Sequence, residues 1–199
     1  MTDQPPPSIP GYAYGQPESA HSPVSLDQLR QLETAAGWTD EDAEVLQTHG
    51  HIFQDRAEEM VDAWRAIIAA QPHLAQWFFG PDGKPDDEYK AKVKKRFVQW
   101  VKDTSFRPHD QTWLDYQEEI ALRHTPAKKN RTDEAATPAV VPLRYLIAFV
   151  ATMTAATRTF FVDAGVQGMD LRRLEDAWAK ALQLTIALWS RPYTKEGLW

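Results

Sequence analysis

Apolar residues recur along this chain at intervals of three and four, and no strand-length stretch alternates apolar with polar, so the pattern predicts helices throughout. Phe53, Ala57, Met60, Val61, Trp64, Ile67 and Ile68 trace one face of a helix over 51–70, which Pro72 ends. Tyr89, Val93, Phe97, Trp100 and Val101 mark the buried stripe of the next long helix, with Lys90, Lys92, Lys94 and Lys95 on its wet side. Leu146, Phe149, Val150, Met153, Ala156 and Phe160 mark an apolar helix over 141–164. Leu171, Leu174, Trp178, Ala181, Leu182 and Thr185 mark another over 170–190, joined to the first through Gly165 and Gly168. Helix starts are legible as well. Ser25 and Gln28 have capping-box spacing, and Thr39 caps a segment whose Asp40, Glu41 and Asp42 sit at the positive end of the helix dipole. A short helical piece over 73–79 leads into GPDGKP at 80–85, where the chain reverses. The expectation is a single all-α globular domain over 25–199, of eight or so helices. The proline-rich residues 1–24 precede it as an extended segment. Tyr12 and Tyr14 in PGYAYG are costly to leave in water, which favours docking of this segment on the body over a solvated tail.

One helix carries candidate chemistry. In TWLDYQEEIALRHTPAKKNRTD, residues 112–133, Trp113, Tyr116, Ile120 and His124 share a stripe, so His124 points inward. Pro126 disfavours helical geometry at Thr125 and is expected to close the helix there, leaving the imidazole at the rim of the core. An inward histidine can be a hydrogen-bonded core residue or a metal ligand, and spacing alone leaves both open. Trp64, Phe78, Phe97, Phe149 and Met153 lie on the inward faces of four further segments. Taken singly each is a core residue; together with one inward histidine they suit a flat aromatic cofactor. His49 and His51, two apart, cannot share a metal on a helix, and His21, His73 and His109 read as structural. Glu118, Glu119, Asp86 and Asp87 are expected on wet helix faces or helix starts, which leaves no hydrolytic site.

Composition narrows the classes further. A net charge of −6 and a pI near 5.5 argue against a nucleic-acid surface. With no cysteine there is no disulfide, thiolate metal site, iron–sulfur cluster or thioether-attached haem, so any haem is held non-covalently. The N-terminus lacks a basic start followed by an apolar run, which predicts neither a signal peptide nor a membrane span and favours a cytoplasmic protein.

PGYAYG at 10–15, DAWRAIIAAQPHL at 62–74, FFGPDGKPDDEY at 78–89, KRFVQWVKDTS at 95–105, WLDYQEEIALRH at 113–124, PLRYLIAF at 142–149 and ALWSRPYTK at 187–195 form a colinear series that resembles the protoglobin family, single-domain globins related to globin-coupled sensors. The resemblance implies a globin-like helical sandwich with an additional N-terminal helix, a haem b, and His124 as its iron ligand. Tyr116 and Ile120 fall against the cofactor beside it. The resemblance further implies that the leading segment covers the haem edge, that apolar tunnels give access, and that helices 141–164 and 170–190 build a homodimer. The matching distal positions are Trp64, Phe78, Phe97, Phe149 and Met153, none an iron ligand, which leaves the sixth position free for a diatomic gas. One departure stands out: the family commonly follows the tryptophan with a tyrosine, where this chain has Arg65. Its guanidinium either turns inward to bound gas or snorkels to solvent or a propionate, and the cost of burying an unpaired guanidinium favours the outward course.

The function expected is therefore reversible binding of O2, CO or NO, as sensor, carrier or scavenger. A haem enzyme acting on nitric oxide, peroxide, nitrite or carbene donors is the alternative, and a haem-free helical regulatory scaffold a lesser one. No inward distal histidine with a paired arginine is recognisable, which weakens a dedicated peroxidase.

Overall fold

The computed structural model describes residues 9–195 and 197–199. Within them the chain forms α1 (Leu26–Ala36), α2 (Asp40–Thr48), α3 (Gly50–Ala69), α4 (Pro72–Ala75), α5 (Asp87–Thr104), α6 (Gln111–Leu122), α7 (Leu143–Asp163) and α8 (Gly168–Ser190), with 3₁₀ turns at Gln76–Phe78 and Arg191–Tyr193. The local signals act as expected. Ser25 and Gln28 complete a capping box, as do Thr39 and Asp42, and Gly37 closes α1 in the left-handed conformation with φ of 67°. Asp86 and Asp110, whose side chains accept from the amides of Tyr89 and Trp113, start α5 and α6.

The helices pack as a two-layered sandwich. α3 lies along α5 and α7, while α8 packs on α7, α2 and α6. Where α3, α7 and α8 meet, Phe53 stands 5.5 Å from Phe161 and 4.9 Å from Trp178, centroid to centroid, and all three are buried. α7 is long and apolar enough to cross a membrane, yet Leu146, Phe149, Met153, Phe160 and Phe161 are all buried within the protein.

Two sequence expectations fail here. Ile67, placed on the buried face of α3, is 40% exposed, while the buried residues of α3 end at Val61. Glu118 and Glu119, expected on a wet face, are buried in ion pairs: Glu118 with Arg191, and Glu119 with Arg123 and Lys128. Periodicity places charged residues outward, but Arg191 reaches Glu118 from beyond α8, and Arg123 and Lys128, just past the end of α6, fold back on Glu119.

Residues 1–8 of the leading segment lie outside the described residues. Residues 9–24 run along α6. Ala20 N donates to Glu119 Oε2 at 2.9 Å and Ser22 N to Asp115 Oδ1 at 2.9 Å. The Tyr12 hydroxyl donates to Asp103, and Tyr12 and Tyr14 meet Tyr116 edge-on at 5.3 and 5.4 Å.

Candidate cofactor cavity

Between the ends of α3, α5, α6, α7 and α8 the interior is hollow, with a cavity of about 420 Å³. Of the residues singled out in the sequence, Trp64, Arg65, Phe78, Phe97, Tyr116, Ile120, His124 and Phe149 line it. Met153 does not: one turn further along α7 than Phe149, it is fully buried in the solid core. Periodicity assigns a residue to a face and says nothing of how far along the helix the hollow extends.

His124 enters the cavity from the end of α6. The α-helix stops at Leu122, earlier than Pro126 alone predicts, and the chain tightens into i→i+3 turns, His124 N to Ala121 O at 3.1 Å and Thr125 N to Leu122 O at 3.0 Å. His124 keeps its place on the stripe of Trp113, Tyr116 and Ile120. Its Nδ1 lies 2.9 Å from the Ile120 carbonyl, which can only accept, so Nδ1 carries the proton. Its own carbonyl accepts from the Val141 amide and the Tyr193 hydroxyl, both at 2.9 Å, and its ring stacks on Trp189 at 5.2 Å. Burial pushes its pKa down to about 4 against the opposing hydrogen bond to Ile120, helped by the positive charges of Lys129 and Arg123. The imidazole is neutral at pH 7, and Nε2, on a ring that lines the cavity, has its lone pair free.

The wall contributed by α3, α5 and α7 is aromatic. Trp64 meets Phe97 and Phe149 edge-on at 5.2 and 5.4 Å, and its Nε1–H donates to Thr152 Oγ1 at 3.1 Å, which fixes the indole and consumes its donor. Arg65 stands on the cavity wall and keeps part of its side chain in solvent. Half-buried on the cavity wall, it donates from Nη1 to the Lys90 carbonyl at 3.2 Å and so ties α3 to α5. Burial lowers its pKa, partly offset by Asp62.

The opposite rim is polar, and the hydropathy pattern missed it. Buried Arg96 pairs through both nitrogens with Asp133, at 2.9 and 2.5 Å, and donates to the Pro10 carbonyl at 2.9 Å. Buried Lys129 donates to Thr137 Oγ1 at 2.7 Å, and to Asn130 Oδ1 and the Trp77 carbonyl at 3.3 Å; burial pushes its ammonium down to about 8. Arg96 reaches Asp133 and Pro10 across long stretches of sequence, and Lys129 reaches Trp77 likewise while its bonds to Asn130 and Thr137 are local. The one available signal was the basic, polar run 128–133, four residues past His124.

A helical fold of this kind has a known counterpart. The globin domain of the Geobacter sulfurreducens globin-coupled sensor is similar, with a TM-score of 0.65 over 83% of this chain and 97% of that one, at 17% identity, a likeness that carries the fold alone. Over residues 25–199 the sequence matches the Protoglobin family. The chain belongs to the protoglobin family. No curated protein sequence matches it. As a globin it has the all-α architecture expected from the helical periodicity, and the family match bears out the resemblance drawn from the colinear motifs. The match begins at Ser25, the N-cap of α1.

Proposed function

We propose that this globin holds a haem b in the cavity, with His124 Nε2 as the iron ligand, and reversibly binds a diatomic gas on the opposite face, as sensor, carrier or scavenger. The observation that carries the reading is the state of His124, a neutral imidazole whose Nδ1–H is spent on Ile120 O while Nε2 is left free on an apolar cavity. The donor set fits the group. His124 would supply one nitrogen ligand, and Trp64, Phe97 and Phe149, which line the same cavity, offer no competing metal-ligating atom. Bound haem supplies a redox-active iron able to take O2, CO or NO.

The protein's part is binding, orientation and exclusion of water. Ile120 O fixes the histidine tautomer, Trp189 sets the plane of the ring, and Tyr193 with Val141 anchors the backbone that carries it. Trp64, locked by Thr152, keeps the facing wall dry. Residues 9–24 would close one edge of the cavity, a role supported by the hydrogen bonds of Pro10 O to Arg96 and Gly11 O to Arg123 at 2.9 and 2.6 Å, since both arginines line it. Pairing of two copies through α7 and α8 is supported by the outer face of α7. Only 33% of its most apolar stretch is buried, and Ile147 and Val162 are 55% and 44% exposed.

Visible spectroscopy of protein produced with haem supplied tests the reading. The expected result is a strong Soret band that shifts when carbon monoxide meets the ferrous form. Purified protein that stays colourless in the presence of haem overturns it.

A further inference from the structure

The basic side chains on the cavity wall differ in what they are paired with. Arg96 is bound to Asp133, and Arg123 and Lys128 are bound to Glu119. Lys129 has no carboxylate partner among the described residues, but its ammonium is spent on Thr137, Asn130 and the Trp77 carbonyl. Arg65 is the exception. Among the described residues it makes a single side-chain hydrogen bond, to Lys90 O, out of the five donors a guanidinium offers. The carboxylate that acts on it, Asp62, sits on its own helix and is held by Lys94 at 2.9 Å.

Beyond that bond, its guanidinium is compensated only by the solvent that reaches its exposed half. The aromatic wall beside Arg65 is formed by Trp64, Phe97 and Phe149, and the indole N–H of Trp64 is already given to Thr152. A half-buried guanidinium has lost part of its hydration, and an anion entering the cavity restores the lost interaction through charge-assisted hydrogen bonds, which are stronger in a low-dielectric site than in water. A neutral diatomic ligand offers it far less.

We propose that Arg65 makes this cavity selective for small monovalent anions of the fluoride, azide and nitrite type, donating to the bound anion from the α3 wall. The inference rests on the haem reading above, because a ferric haem would be what holds the anion in the cavity. It goes beyond that reading by naming a residue that sets which ligands are favoured.

The test compares the haem-loaded parent with Arg65→Leu and Arg65→Lys. Sodium fluoride is titrated into the ferric form and carbon monoxide into the ferrous form, both followed by the visible spectrum. Removing a charge-assisted hydrogen bond is expected to weaken fluoride binding in Arg65→Leu by roughly ten- to hundredfold. Carbon monoxide affinity stays close to the parent's, and Arg65→Lys recovers part of the fluoride affinity. Equal fluoride affinities in parent and Arg65→Leu overturn the inference. So does a parallel loss for both ligands, which marks Arg65 as a tie between α3 and α5 and nothing more. If Arg65→Leu does not fold, Arg65→Gln, which keeps a donor for Lys90 O without the charge, carries the same comparison. A parent that takes up no haem overturns the haem reading and this inference with it. A parent that binds haem, with fluoride affinity indifferent to residue 65, overturns this inference alone.

Discussion

The interior of this globin is made of the same kinds of side chain in two halves, one filled and one hollow. In the filled half, where α3, α7 and α8 cross, Phe53, Met60, Met153, Phe161 and Trp178 are at most 1% exposed. In the hollow half, Trp64, Phe97, Phe149 and Trp189 lean on one another in edge-on, tilted and stacked pairs around about 420 Å³ of space. Protein interiors otherwise pack as densely as organic crystals, and an apolar void costs the contacts its lining forgoes. The hollow half also collects positive charge on its wall, in Arg65, Arg96, Arg123, Lys128 and Lys129. Stability resides in one half, and room and polarity for a ligand in the other.

Truncation sharpens that contrast most. Trp178→Ala in the filled half is expected to cost the haem-free protein about 3–5 kcal/mol in urea unfolding. Phe97→Ala, which enlarges a space already present, should cost only ~1–2 kcal/mol. Equal losses would mean that the cavity is as tightly packed as the core.

Charge at the rim should show in the pH dependence of the haem-free protein. The Lys129 pKa falls from 10.5 to about 8 on folding, so the folded state binds fewer protons than the unfolded state between those values. The cost of burying the ammonium is therefore fully present below pH 8 and is relieved as pH rises to 10.5. Compared with Lys129→Met, the parent should gain up to roughly 3 kcal/mol across this window. A difference independent of pH would mean that Lys129 is well hydrated.

How far the sequence foretells this division depends on the range of the interactions. Helix starts were legible at Ser25 and Thr39 because a capping box spans four residues. The stripes of α3, α5, α7 and α8 were legible because burial of one face repeats every 3.6 residues. The same periodicity marked His124 as inward, yet it assigned Met153 and Phe149 to one environment when the first is core and the second cavity wall. Filled and hollow halves share a hydropathy pattern, and only the crossing of helices separates them. The Arg96–Asp133 pair and the burial of Glu118 and Glu119 stayed hidden because each joins a helix to a segment outside it.

Smaller effects belong to the segments that fasten the hollow half. At Gly11, with φ of +73°, an added Cβ would stand 2.6 Å from Thr132 Cγ2 and 2.8 Å from Arg96 Nη1. Gly11→Ala is expected to cost about 1–3 kcal/mol and to speed proteolysis within residues 9–24, while leaving the filled half intact. An unchanged cleavage rate would mean that the leading segment is not held at that point. Tyr193→Phe removes the hydroxyl placed 2.9 Å from His124 O and 2.6 Å from Val141 O, and should cost about 1 kcal/mol in thermal unfolding. No loss would place the anchoring of the His124 backbone on the Val141 amide alone.

The central claim is a bond from His124 to the iron of a haem in the hollow half, and hemin titration tests it most directly. The parent should take up one hemin per chain with the spectrum of histidine-ligated iron, and His124→Gly should lose that spectrum and regain it when free imidazole is added. A parent that binds no hemin, or a His124→Gly variant whose spectrum matches the parent's without imidazole, would contradict the account.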